Sequence, residues 1–141
     1  MPINLMDRKS EKGFSLIELI VVMVILTLLA AFVGPRLFRH AADAKITAAK
    51  LQIEGFGDAL QMFALDMGRL PDSSEGLEAL VRNPGNSEAW HGNYLKKEDV
   101  PKDPWGKPYV YRCPGLHGDY DIISFGPDGS EGGDDDVISW K

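Results

Sequence analysis

Cysteine occurs once in this 141-residue chain, at Cys113, so no intramolecular disulfide can form and the fold must be held by other means. Histidine is nearly as scarce. His40, His91 and His117 lie far apart, with none of the spacings that gather imidazoles around a metal. Basic residues are also few. The chain has 15 Lys and Arg against 21 Asp and Glu, a net charge of -6. This argues against nucleic acid as a partner, because phosphate binding needs clustered cations. No Ser or Cys sits in a nucleophile motif, and no glycine-rich loop precedes Lys-Ser or Lys-Thr, so neither an enzyme nor a nucleotide-binding protein is expected. Apolar residues are plentiful at 44%, and the length suits one small domain plus an anchoring segment.

Charge and hydropathy are unevenly distributed. Residues 1–12 carry Arg8, Lys9 and Lys12 against Asp7 and Glu11, whereas residues 119–141 hold seven acidic side chains and one Lys. Such an acidic tail suits a cation. Residues 19–33 read LIVVMVILTLLAAFV, with Thr27 as the only polar member. Widened to residues 14–35, the run has 22 residues and one charge, Glu18. As a helix rising ~1.5 Å per residue it can cross a hydrocarbon core of ~30 Å. Arg36 and Arg39 follow it, so the flanking charges set no clear orientation.

Two readings of this run compete. One is a cleavable secretory signal, cut after Ala31 to release a secreted domain beginning at Phe32. Glu18 opposes it, because a carboxylate inside an apolar run costs a few kcal/mol and a discarded signal gains nothing by carrying it. The other reading rests on Lys12-Gly13-Phe14-Ser15-Leu16-Ile17-Glu18-Leu19-Ile20, which resembles the class III signal of type IV pilins and pseudopilins. The resemblance implies that a prepilin peptidase cuts between Gly13 and Phe14 and methylates the new amine of Phe14. Residues 1–13 are then a leader, residues 14–35 a transmembrane and filament-core helix, and residues 36–141 a periplasmic domain. It further implies that Glu18 pairs with the Phe14 amine of a neighbouring subunit. Methylation keeps that charge. A pair buried among apolar helices offsets its desolvation only in the right axial register, so it specifies register more than it adds stability.

Beyond Gly34-Pro35, where Pro removes a helical hydrogen bond and a kink or melted turn is expected, a second helical pattern begins. Leu37, Ala41, Ala44, Ala48, Leu51, Gly55, Ala59 and Met62 recur at helical spacing, predicting a small-residue face against a sheet. Gly68-Arg69-Leu70-Pro71 ends the helix, and Asp72 with Glu75 has the spacing of a capping box for a short helix over residues 72–81. Strands are expected at residues 109–111, 120–125 and 137–140. The predicted fold is α+β: a long N-terminal helix packed on a small three-stranded antiparallel sheet.

The chain is also similar to the major pseudopilins of type II secretion in three further places. These are Glu75-Gly76-Leu77-Glu78-Ala79-Leu80, Asp103-Pro104-Trp105-Gly106, and Phe125-Gly126-Pro127-Asp128-Gly129 with Glu131-Gly132-Gly133. Type IV major pilins, the alternative, commonly staple this region with a disulfide that a lone Cys113 cannot make. Read without the resemblance, the acidic stretch 128–136 is a solvated loop or a calcium site that is not an EF-hand. The resemblance implies calcium, held by Asp128, Asp135 and Asp136, with the Phe125 backbone carbonyl and Asp134 as further ligands. It also implies a homo-oligomeric filament at the bacterial inner membrane. Its other partners would be minor pseudopilins, an assembly platform, the prepilin peptidase and, indirectly, the outer-membrane secretin. A bulky residue in place of Gly13 is expected to leave full-length precursor in the membrane, and mass measurement of the mature N-terminus checks this.

Overall fold

A computed structural model describes residues 13–141; most of the expected leader, residues 1–12, lies outside the described residues. Helix α1 spans Leu16–Met67, 52 residues. Its helical backbone continues through Gly34 and Pro35, so the expected melted turn is absent from the single chain. Proline forfeits one hydrogen bond, and the neighbours on both sides keep theirs. The helix stops where the sequence predicts. Gly68 adopts φ 71° and its N–H donates to the Ala64 carbonyl at 2.9 Å, a left-handed cap that glycine accepts without a Cβ clash.

The chain divides into an N-terminal unit ending at His40 and a second unit, Ala41–Lys141. In the first, the large apolar side chains from Phe14 to Val33 are all exposed. In the second, residues 41–67 of α1 form one wall of a core with a three-stranded antiparallel sheet. Strands β1 (Val110–Arg112), β2 (Asp121–Ser124) and β3 (Val137–Ile138) lie in chain order, β2 central and buried along its whole length. Val110 faces Ile123 and Tyr111 faces Ile122, while Ile123 faces Ile138 and Ser124 faces Val137. All three strands fall within one residue of the predicted segments or inside them.

The predicted core face of α1 is corrected by about one residue. Ala49, Ile53, Phe56, Ala59, Leu60 and Phe63 are buried, whereas Ala41, Ala44, Ala48, Leu51 and Met62 are exposed. Two apolar rows run along this half of the helix, and the row carrying the aromatic rings is the one that meets the sheet. Burial scales with apolar area, which decides between them. Phe56 meets Tyr109 edge-on at 5.1 Å and Phe63 meets Tyr94 at 5.6 Å.

Polar anchors fix the segments around this core. The Tyr111 hydroxyl donates to the Pro71 carbonyl at 2.8 Å, Trp90 Nε1 to the Ala79 carbonyl at 2.9 Å, and the Tyr94 hydroxyl to Asp66 at 2.8 Å. The capping box forms: Asp72 Oδ1 accepts the Glu75 N–H at 2.8 Å and Glu75 Oε2 accepts the Asp72 N–H at 3.0 Å. The element it introduces is a short 3₁₀-helix, Gly76–Leu80, rather than a longer α-helix. Arg69 grips Glu75 bidentately at 2.6 and 2.7 Å and, by that hydrogen bond, holds its carboxyl below the usual range. Cys113 is a free, half-buried thiol.

The two apolar rows of α1 differ in their expected mutational cost. Phe56→Ala should destabilise the domain by ~3–5 kcal/mol through the cavity it leaves. Leu51→Ala should stay within about 0.5 kcal/mol, as exposed positions do. Denaturant unfolding of both variants checks the assignment of the buried face.

Candidate functional site

The N-terminal site is built on the first turn of α1. Gly13 and Phe14 lie outside the helix, and both are exposed, Phe14 by 83%. The bond between them is thus in open backbone, where a protease can reach it. Ser15 caps the helix: its Oγ accepts the Glu18 N–H at 3.2 Å. Ser-x-x-Glu is the sequence signature of such a cap, so Ser15 is legible from the sequence. Glu18 itself is exposed, four residues from Phe14. The Leu16–Met67 helix contains an apolar window long enough to cross a membrane, and none of that window is buried.

The second site is the β2–β3 connection, residues 125–136. Its base is set by Asp103, 4% exposed. Asp103 heads the Asp-Pro-Trp-Gly turn, with Asp at the first position and Pro at the second, as such turns favour. Its Oδ1 accepts the N–H groups of Trp105 at 3.1 Å and Lys107 at 2.8 Å. Its Oδ2 accepts the Ser124 hydroxyl at 2.6 Å, and Ser124 Oγ accepts the Gly126 N–H at 3.4 Å. Neighbouring Tyr109 has a buried hydroxyl without a partner, pushed up to about 12 by burial and then by the negative charge of Asp103. Neither Asp103 nor Ser124 stands out as a site residue in the sequence, because what joins them is tertiary.

Within the connection, Gly126 has φ 63°, and a Cβ there would run into the Asp135 carbonyl oxygen. Gly133 plays a matching part. A side chain at that position would collide with Asp135 Oδ1 and come within 3.5 Å of Asp128 Oδ2, so glycine leaves the two carboxylates room to approach each other. Asp128 Oδ1 accepts the Ser130 N–H at 2.7 Å, and Asp135 Oδ2 accepts the Asp128 N–H at 3.2 Å. Asp136 Oδ2 accepts the Gly132 N–H at 2.8 Å, but its Oδ1 is buried and has no partner. A buried carboxyl oxygen without a partner is costly, and a cation would compensate it. Asp128, Asp135 and Asp136 therefore share one folded loop, with Phe125 half-buried at its start. Asp134 is exposed, and Glu131 points to Arg112 at 2.7 Å. Among the described residues no three acidic, His or Cys side chains already enclose a metal-sized space. The donor set fits a hard cation by its oxygen chemistry and its one orphaned oxygen.

Comparison with known proteins decides the family. Residues 36–140 match the family model for type II secretion system (T2SS) protein G, and residues 8–34 match the prokaryotic N-terminal methylation motif. The chain belongs to the type II secretion protein G family, the major pseudopilins. It is 46% identical to the type II secretion system core protein G of Pseudomonas aeruginosa over 142 residues, covering 96% of this chain and 99% of that protein. It is 40% identical to the protein of the same name from Escherichia coli over 133 residues, 92% and 91% of the two chains. The crystal structure of the major pseudopilin of the type 2 secretion system of enterohaemorrhagic Escherichia coli superposes with a TM-score of 0.65 at 31% identity. It covers 74% of this chain and 89% of that one. These matches favour the type II secretion reading over a type IV pilin. The pseudopilin fold is thus the observed one, a long helix on a three-stranded sheet, and the family is one of structural subunits. The methylation motif and the apolar helix together fit a membrane-anchored pseudopilin.

Proposed function

We propose that this chain is the repeating subunit of a type II secretion pseudopilus, anchored in the bacterial inner membrane with residues 36–141 in the periplasm. The observation that carries the proposal is an uncovered apolar helix whose N-terminal part lies inside the stretch that matches the methylation motif. About fifteen large apolar side chains between Phe14 and Val33 face solvent in the single chain. Each is worth roughly 1.5–3 kcal/mol when removed from water, so the segment must lie either in lipid or against copies of itself. A subunit with two such environments can be stored in the membrane and drawn into a filament.

Cleavage between Gly13 and Phe14 supplies the charge that makes the transfer specific. The new amine of Phe14 lies one helical turn from Glu18, and in a filament the carboxylate is matched to the amine of a neighbouring copy. Prepilin peptidase, the inner-membrane assembly platform and minor pseudopilins would act on the chain during this process. A cytoplasmic ATPase would supply the energy, and the filament would help move folded proteins toward the outer-membrane secretin.

In this reading the β2–β3 connection holds calcium through Asp128, Asp135 and Asp136, with the Phe125 carbonyl and Asp134 as further candidates. A bound calcium ion neutralises the mutual repulsion of these carboxylates and cross-links the loop. The support is the orphaned Asp136 oxygen and the side-chain-free Gly133 between Asp128 and Asp135.

Two experiments test the proposal. Glu18→Val should insert into the membrane at least as well as the wild type but assemble slowly or not at all, because breaking a buried pair costs ~3–5 kcal/mol. Filaments forming at the wild-type rate, seen by electron microscopy, would refute the pairing. For the loop, calcium at ~100 times its dissociation constant would add about 2.7 kcal/mol to the folded state. Chelation should therefore lower the melting temperature and calcium restore it, with Mg²⁺ a poor substitute because it keeps its waters. Asp128→Ala and Asp135→Ala should resemble the chelated protein, and Glu131→Ala should not. Equal melting temperatures with and without chelator would leave a solvated acidic loop.

A further inference from the structure

Asp103 lies far from the β2–β3 connection in sequence, yet its turn reaches that loop by two routes, one through Ser124 at the end of β2 and one by direct contact. On one side, Asp103 Oδ2 holds the Ser124 hydroxyl at 2.6 Å, and Ser124 Oγ in turn accepts the Gly126 N–H at 3.4 Å. On the other, the Lys107 side chain lies against Gly129, its Nζ 3.5 Å from where a Cβ would stand. The turn is itself rigid. The backbone N–H of Asp103 donates to the Lys107 carbonyl at 2.8 Å, and Asp103 Oδ1 takes the Lys107 N–H at 2.8 Å.

We propose that Asp103, acting through Ser124, is the positioning residue of the acidic loop: it fixes Gly126 and thereby sets how tightly the loop's carboxylates hold a cation. The path is continuous. Gly126 sits against the backbone carbonyl of Asp135, and a Cβ would also reach Asp135 Oδ2 at 3.0 Å. Where Gly126 stands therefore decides where Asp135 stands. The Asp103 and Ser124 side chains are both buried, so water cannot replace their bond once it is broken. Buried hydrogen bonds that orient a metal's ligands tune affinity without touching the ion. The proposal rests on the calcium reading of the loop, and the test separates the two.

Calcium binding to the mature full-length chain in detergent is measured by titration calorimetry, with melting temperatures taken in chelator. Ser124→Ala and Asp103→Asn are each expected to weaken calcium binding by about 10–100-fold, the range seen when groups that orient metal ligands are removed. Ser124→Thr, which keeps the hydroxyl, should recover most of the loss. Leu77→Ala, a core deletion away from the loop, should lower the melting temperature and leave the affinity unchanged. If Ser124→Ala does not fold, Asp103→Asn, which keeps Oδ1 for the turn, carries the comparison. Wild-type affinity in the Ser124 and Asp103 variants, alongside lost binding in Asp135→Ala, overturns the positioning role and leaves the calcium site standing. Equal loss of affinity in Leu77→Ala also overturns it, as an effect of stability alone. A wild-type chain that binds no calcium overturns both.

Discussion

An apolar surface that its own chain leaves uncovered governs this protein. Between Leu19 and Val33 the helix is apolar on every side, with Thr27 its one polar residue, and none of the apolar window is buried. A soluble helix is normally amphipathic, hiding one stripe and wetting the other; this one has no face to wet. The one charge of residues 14–35, Glu18, lies in the first turn, where Ser15 caps the helix. The free energy of covering that surface far exceeds the few kcal/mol that hold a small domain together. Membrane insertion and filament packing are therefore two solutions of one constraint. In the proposed assembly, Glu18 chooses the register between copies.

The second unit has the opposite problem, a small core to be held without a disulfide. It is solved by aromatic rings from α1 against Tyr109 beside β1 and Tyr94 in the preceding loop, and by hydrogen bonds that tie distant segments. Tyr111 to Pro71, Trp90 to Ala79 and Tyr94 to Asp66 each join elements well separated in sequence. Asp121 contributes in the same way. Burial alone would raise its carboxyl, but His117 and the N–H groups of Leu116 and His117 outweigh that and hold it below the usual range. The His117 ring in turn stacks on Trp140 at 3.8 Å, tying the chain's end to the turn before β2.

Residues 125–136 link the central strand to β3, and the acidic run stands there on a base of buried side chains. Glycines at 126 and 133 bring the two ends of the connection together where any Cβ would hold them apart. The result is a loop rich in oxygen donors whose geometry depends on Asp103, a residue outside it. The similarity to protein G of other bacteria extends over nearly the whole chain, so the anchor and this loop are two parts of one family architecture.

By itself the sequence determined the parts whose signals are local. Gly68 and Pro71 mark the end of α1, Asp72 and Glu75 their capping box, and short runs of aromatic and β-branched residues the three strands; each depends on residues within a few positions. The apolar run and Glu18 are legible for the same reason, since length and charge decide membrane crossing without a partner. Tertiary structure decided what depends on remote neighbours. Which of two helical rows on residues 41–67 is buried was settled by the rings that meet the sheet, not by periodicity, which both rows satisfy. The link from Asp103 through Ser124 to Gly126 joins residues 21 positions apart by a hydrogen bond no spacing rule encodes. Periodicity and caps are properties of a chain segment, whereas burial and relay are properties of what that segment meets.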